Sequence, residues 1–130
     1  MIDISIMPFA TLLGVRLLDD SPDLVVAEMV VRPDLCTAGR ILHGGAVMAF
    51  ADSVGAVATV LNLPPRARTT TIESKTNFIG AVREGEVARA KCRPIHKGKT
   101  TMVWRTDILQ QDGKLAASVT QTQLVLYGSG

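Results

Sequence analysis

Hydrophobic residues follow a helical period over the longest apolar stretch of the chain, residues 41–63. The bulky side chains recur every three or four positions, which is the spacing of one helix face, at Val47, Phe50, Val54, Val57 and Leu61. The segment His43-Gly44-Gly45 precedes this pattern, and Pro64-Pro65 follows it and prevents any continuation. The pattern therefore predicts a helix that begins at His43 and ends near Asn62.

The other side of this predicted helix carries small residues and one carboxylate. Its members are Gly45, Met48, Ala49, Asp52, Gly55, Ala56 and Thr59. Because the helix is apolar nearly all round, we expect it to be buried nearly all round. A buried charge is costly unless it is paired or used, so Asp52 is the first candidate for a functional residue.

Strands are predicted elsewhere by two-residue alternation and by turn residues. A short helix over 6–13, with Pro8 in its first turn, comes first, and Gly14 ends it. Strands are expected over 15–18, 24–32, 66–79, 86–93, 100–109 and 114–127. The expected turns are 19–23, 80–85, 97–99 and 112–113, and 33–40 is expected to be a loop.

Alternation also predicts which side chains share a face of the sheet. Over 66–79 it assigns Thr71, Glu73, Lys75 and Asn77 to one face and Ile72, Ser74, Thr76 and Phe78 to the other. Over 86–93 the small residues Ala88, Ala90 and Cys92 alternate with charged ones, which suits a strand that lies close against a helix. The order of elements predicts a single α+β domain over 1–130. In it, a curved antiparallel sheet wraps the bulky face of one long central helix and leaves the small face uncovered.

Composition and charge narrow the classes of function. A formal net charge of +2, with one Trp, one Tyr and three Phe, gives no support for binding to nucleic acid. Residues 41–63 are long enough to cross a membrane, but His43 and Asp52 make that costly, and the first residues do not resemble a signal peptide. Cys36 and Cys92 lack the spacing of metal ligands. We expect a cytoplasmic protein with two reduced thiols and no membrane segment.

The start of the predicted helix and Asp52 together suggest acyl transfer to water. Backbone N–H groups at a helix start, with the positive end of the helix dipole behind them, suit a polarised carbonyl oxygen. Glycines allow a substrate to approach the backbone closely. The competing interpretation is structural, with Gly44-Gly45 as a tight turn, His43 as a hydrogen-bonded residue and Asp52 as the acceptor of a neighbouring N–H.

The sequence Leu-His-Gly-Gly-Ala, with an acidic residue nine positions after the His, resembles the hotdog-fold acyl-CoA thioesterases. It is most similar to the branch named for the phenylacetate-pathway thioesterase, and the resemblance extends over residues 10–126. The resemblance implies that Asp52 is the general base or nucleophile and that the Gly44 N–H donates to the thioester carbonyl. It also implies that His43 orients the site, and that Thr71 occupies the position of a Ser that places the attacking water in some relatives.

The same resemblance implies a substrate site. Lys97-Gly98-Lys99 matches a turn near the coenzyme A phosphates, although a solvated hairpin turn is an equally good interpretation. Thr37, Gly45 and Met48 are assigned to the substrate, with the acyl group beside Met48, Ala49, Ala56 and Thr59. Two positions depart from the family, since relatives commonly carry Asn at the position of Thr37 and Gly at that of Arg40.

We therefore expect a thioesterase that hydrolyses a medium-chain or aryl acyl-CoA and needs no metal or other cofactor. Two alternatives are a hotdog-fold enoyl-thioester hydratase or dehydratase and a non-catalytic acyl-CoA-binding protein. Gly44 and Asp52 are eight residues apart, roughly 12 Å along a helix, which is too far for both to serve one carbonyl within one chain. We expect a homodimer with shared sites as the smallest active unit, paired further into a homotetramer.

Overall fold

A computed structural model describes residues 1–128 of the chain, so the single-domain prediction over 1–130 includes two residues outside the described part. Two α-helices are present, α1 (Pro8–Leu13) and α2 (Gly44–Val60). The strands are β1 (Arg16–Ser21), β2 (Leu24–Val30), β3 (Cys36–Thr37), β4 (Ile41–Leu42), β5 (Arg68–Phe78), β6 (Val87–Lys97), β7 (Thr101–Leu109) and β8 (Leu115–Leu126). Short 3-10 helices cover Ile4–Ile6 and Pro33–Leu35.

The large sheet has six antiparallel strands in the order β1-β2-β6-β7-β8-β5. The pairs β1–β2, β6–β7 and β7–β8 are hairpins, whereas β2 pairs with β6 across a long connection and β5 pairs with β8 at the far edge. Helix α2 packs across one face of this sheet, with Phe50, Val54 and Val57 fully or almost fully buried. The α+β prediction, with one long helix against an antiparallel sheet, is confirmed.

The boundaries of α2 agree with the prediction from sequence. His43 is the residue before the first helical position, and Leu61 caps the end. The strands beside the helix also follow the expected pattern, since Ala88, Ala90 and Cys92 on β6 are completely buried. Small side chains on this strand allow the helix backbone to lie close to the sheet, so packing is decided here by residue size.

Two predicted connections are shorter or more structured than expected. Strand β1 continues through Asp19 and Asp20, so only Pro22 and Asp23 remain in the turn to β2. The predicted loop over 33–40 contains a 3-10 turn and strand β3, which pairs with β4 just before α2. Both differences arise because backbone pairing overrides local turn propensity.

The predicted faces of β5 hold from Glu73 to Asn77 but are wrong for Thr71 and Ile72, because this strand contains a β-bulge between Thr71 and Glu73. One extra residue reverses the alternation, so Thr71 shares the inner face with Ser74 and Thr76 rather than with Glu73. Ile72 is displaced outward and is 56% exposed. The bulge thus turns the Thr71 hydroxyl toward α2.

The sheet also covers part of the small face of α2, contrary to expectation. Gly55 is buried, and Thr59 is completely buried beneath β7, where its hydroxyl accepts a hydrogen bond of 2.8 Å from Trp104 Nε1. Within α2, a partly exposed stripe remains that is open to another molecule, and it consists of Gly44, Gly45, Ala46, Met48, Ala49, Asp52, Ala56 and Val60.

Candidate active site

The start of α2 is organised by His43. Its main chain is extended, and its Nδ1 accepts a hydrogen bond of 2.7 Å from the Gly45 N–H. The His43 side chain therefore acts as the helix cap, a role usually taken by Ser, Asp or Asn. This contact occupies the Gly45 donor, so the Gly45 N–H is not available to a substrate in this conformation.

The Gly44 N–H differs from its neighbour. Within residues 1–128 it has no hydrogen-bond acceptor, and as the first residue of α2 it lies at the positive end of the helix dipole. A groove of about 460 Å³ opens beside Gly44 and is also lined by Thr37, Val47 and Phe78. Thr37, assigned to the substrate site from the sequence, thus lines the same groove as Gly44, and the Gly44 N–H has no acceptor among the described residues.

The loop before His43 contains a non-glycine residue in the left-handed region, Arg40, with φ of 58°. This is the position at which relatives of the resembled family carry glycine, the residue best suited to that conformation. The Arg40 guanidinium hydrogen-bonds Glu84, with Nε at 3.1 Å from Oε2, and this contact raises the Arg40 pKa. Backbone hydrogen bonds from the Arg40 N–H to the Thr37 carbonyl and from the Glu84 N–H to the Arg40 carbonyl fix the loop in this shape, and the ion pair adds to them.

Asp52 is half-buried in the middle of α2 and accepts two hydrogen bonds on one oxygen. Thr71 Oγ1 donates to Asp52 Oδ1 at 2.7 Å, and Gln121 Nε2 donates to the same oxygen at 3.2 Å. Oδ2 receives no donor from the part of the chain that the structure describes. The predicted pair of Asp52 and Thr71 is therefore brought together, and one carboxylate oxygen remains available for a water molecule.

The Thr71 hydroxyl is itself held by a neighbouring glutamine. Gln123 Nε2 donates to Thr71 Oγ1 at 2.6 Å, and Gln123 Oε1 accepts from Thr69 Oγ1 at 2.9 Å. Because Thr71 accepts from Gln123, the proton of its hydroxyl is directed at Asp52. Gln121 and Gln123 were not predicted from the sequence. The two-residue alternation along β8 could have identified them, because they lie on the same face as Val119 and Val125, which are buried on the inner side of the sheet.

The turn Lys97-Gly98-Lys99 lies at the other end of the molecule from Gly44. Lys97 Nζ pairs with Asp23 Oδ1 at 2.5 Å, and the adjacent Pro22 carbonyl accepts from Asn62 just after the end of α2. One chain therefore does not bring this turn to its own Gly44. Met48 is half-buried midway between Gly44 and Asp52 on the i, i+4, i+8 ridge that joins them.

Two further features are absent from the described residues. No helix in 1–128 combines the length and apolar character needed to cross a membrane. Among the same residues, no three side chains of His, Cys, Asp or Glu come together as a possible metal site.

Comparison with known proteins identifies the family. Residues 39–117 match the Thioesterase superfamily. The 1,4-dihydroxy-2-naphthoyl-CoA hydrolase of Escherichia coli K12 is 35% identical over 86 residues, which are 66% of this chain and 62% of the hydrolase. The chain thus spans less than two thirds of that relative's length.

Solved structures agree in fold. A mutant thioesterase from Pseudomonas aeruginosa superposes with a TM-score of 0.88 at 26% identity, covering 97% of this chain and 95% of the other. The Escherichia coli PaaI protein from the phenylacetic acid degradation operon gives a TM-score of 0.85 at 22% identity, covering 94% and 86%. With a match over more than half of its length and a helix wrapped by a sheet as in these relatives, the chain belongs to the Thioesterase superfamily, with the hotdog fold.

Proposed function

We propose that this protein hydrolyses acyl-CoA thioesters, giving a free carboxylic acid and coenzyme A. The observation that carries the proposal is the state of Asp52, whose Oδ1 is held by two donors while Oδ2 has none from residues 1–128. A carboxylate fixed in this way can accept a proton from water. The coenzyme A in the name of the Escherichia coli relative supports the choice of thioester.

In the proposed reaction, Asp52 Oδ2 takes a proton from a water molecule whose oxygen attacks the thioester carbon. The carbonyl oxygen becomes an oxyanion, stabilised by the Gly44 N–H and the helix dipole. As the carbonyl reforms, the C–S bond breaks, and the thiolate of coenzyme A leaves and takes up the proton. In the nucleophilic alternative, Oδ2 itself attacks and forms an anhydride, which water then cleaves.

Both roles require two chains. Gly44 and Asp52 are roughly 12 Å apart along α2 of one chain. If two α2 helices cross antiparallel near Met48, Gly44 of the partner subunit meets Asp52, and each dimer holds two equivalent sites. The partly exposed stripe supports this contact, because Gly45, Ala49 and Ala56 allow close approach.

The antiparallel crossing would also give the Lys97-Gly98-Lys99 turn a role. With the crossing at Met48, the C-terminal end of one helix would extend about 12 Å beyond Gly44 of the partner subunit, so this turn would lie on the same side of the composite site as that Gly44. Two lysines beside a composite site suit the phosphates of coenzyme A. We further propose a medium-chain or aryl acyl group beside Met48, Ala49 and Ala56, and pairing of dimers into a homotetramer.

A mixing experiment tests the shared site. Asp52→Ala removes the carboxylate, and Gly44→Pro removes the N–H. Proline suits the first helical position, and the nearest atoms to a Cβ there belong to the exposed ring of Phe78, at 3.2 Å. Refolded together, half of the dimers are hybrids with one intact site out of two, so about a quarter of wild-type activity should return.

Each variant refolded alone is the control and should stay inactive in a free-thiol release assay with benzoyl-CoA, hexanoyl-CoA and decanoyl-CoA. Hybrid formation is checked by native mass spectrometry with one variant isotopically labelled. Inactive hybrids would refute the shared site.

A further inference from the structure

Gln121 is a large polar side chain buried completely in the core beside Asp52. Its Nε2 donates to Asp52 Oδ1, but its Oε1 has no hydrogen-bond partner within residues 1–128. Burial of an amide oxygen without a partner is unfavourable. A residue needed only for packing would be apolar here, as Val119 and Val125 are on the same face of β8.

Helix α2 carries a glycine where Gln121 crosses it. A Cβ added at Gly55 would overlap the carboxamide of Gln121, meeting its Oε1, Cδ and Nε2. Gly55 has no positive φ that would require glycine, and glycine in a helix interior is less favourable than alanine. The close approach of Gln121 therefore accounts for the glycine.

The two glutamines of β8 converge on one carboxylate oxygen by different routes. Gln121 reaches Asp52 Oδ1 directly, and Gln123 reaches it through the Thr71 hydroxyl. Two donors on Oδ1 set the rotation of the carboxylate group. They also leave Oδ2 as the oxygen presented to water.

We propose that Gln121 is a positioning residue for Asp52 and that Gly55 is present to admit it. The inference rests on the proposed function. Without the Gln121 donor, the carboxylate is held by Thr71 alone and can turn, so the geometry for water attack is reached less often. Such a loss reduces kcat, whereas substrate binding, which does not involve Gln121, is preserved.

Gln121→Met is the primary test, because methionine has a similar length but no donor and no amide oxygen to bury. We expect kcat to fall on the order of 10-fold, the effect of one lost hydrogen bond to a charged group, with KM changed by less than about twofold. Tm should stay the same or rise. Hydrolysis of benzoyl-CoA, hexanoyl-CoA and decanoyl-CoA by free-thiol release, with thermal unfolding, gives these values.

Thr106→Val is the matched control. Thr106 is also completely buried on the inner face of the sheet, where it lies opposite Cys92, and it makes no hydrogen bond to Asp52. Its replacement should leave kcat unchanged. If Gln121→Met keeps the wild-type kcat, or if Thr106→Val loses as much, the positioning role is refuted.

A double-mutant cycle tests the role of Gly55 and remains informative if Gln121→Met folds poorly. Gly55→Ala alone should displace the carboxamide, lower Tm and lower kcat on the order of 10-fold. In the Gln121→Ala background the same Gly55→Ala change should raise Tm, since the overlap is gone and alanine favours the helix. An equal loss of Tm in both backgrounds would overturn the inference.

Asp52→Asn, measured in parallel, separates this inference from the proposed function. If Asp52→Asn is inactive while Gln121→Met and Gly55→Ala have wild-type kcat, the positioning role fails and the function stands. If Asp52→Asn keeps the wild-type rate, the assigned chemistry fails, and the positioning role with it.

Discussion

Strands β6 and β8 both face helix α2, but they do so with different chemistry. The inner face of β6 consists of Ala88, Ala90 and Cys92, which are small, completely buried and without any polar group that must find a partner except the thiol. The inner face of β8 carries Gln121 and Gln123 between valines. Strand β6 packs against the helix through small side chains. Strand β8 packs against it with buried amide groups, whose burial is unfavourable unless they are hydrogen-bonded.

The difference separates the part of the helix–sheet contact that maintains the fold from the part that serves Asp52. Opposite β6, a substitution should change stability. Opposite β8, it should change the rate of hydrolysis more than stability. The predictions below test this division.

The largest effect is expected on the β8 side, from Asp52→Asn. The amide keeps the size and the hydrogen bonds of the carboxylate but cannot act as a base, so kcat should fall by roughly 10²–10⁴-fold. Folding should survive, because a neutral group is easier to bury than a charge. Circular dichroism and the thiol-release assay measure both. Hydrolysis at the wild-type rate would exclude the assigned role.

A medium effect is expected on the β6 side, and it concerns stability at high pH. Burial raises the pKa of the Cys92 thiol to about 11 from its usual value of 9.0. The unfolded chain therefore loses this proton first, and the native state binds more protons between pH 9 and 11. Stability must fall as pH rises through that window, by about 3 kcal/mol at most.

Urea unfolding at pH 8, 9, 10 and 11 tests this prediction, with Cys92→Ala as the matched control. Other groups also titrate over this range, so the difference between the two proteins carries the information. The Cys92→Ala protein should lose less stability than the wild type above pH 9. Parallel curves for the two proteins would contradict the prediction.

The smallest effect is expected where β6 leaves the helix and enters the turn to β7. If Lys97 and Lys99 meet phosphates of coenzyme A, replacing both with Ala should raise KM by roughly three- to tenfold at low salt, and less at high salt, with kcat preserved. Lys114→Ala is the control, since Lys114 is an exposed lysine in the turn just before β8, at the end of that strand away from Lys97 and Lys99. Equal KM values for all three proteins would leave Lys97 and Lys99 as a solvated turn.

Much of this arrangement could be predicted from the sequence. The bulky face with Phe50 and Val54 and the small residues of β6 followed from periodicity, and the start and end of α2 followed from the glycines and prolines that flank it. The family followed from the His43 segment and the spacing to Asp52, and the comparisons confirm it. Local patterns suffice for these features because each depends on the order of residues within one element.

What could not be predicted depends on pairing between distant segments. The bulge at Thr71 cannot be read from β5, because it arises from the register against Gln123 and Thr122 on β8. The burial of Gly55 depends on where β8 crosses α2. The capping role of His43 was assigned only as orientation, since its contact with the Gly45 N–H requires the actual helix start.

The place of β5 in the sheet has a consequence for biosynthesis. Strand β5 is complete by Phe78, but within residues 1–128 its one ladder partner is β8, which ends at Leu126. The two groups that hold Asp52 come from these two strands, so neither can take its final place until β8 has left the ribosome. A nascent chain can form α2 and the β1–β2 and β6–β7 hairpins early, because those contacts are local. The proposed capacity for hydrolysis would therefore arrive last, in one step with closure of the sheet.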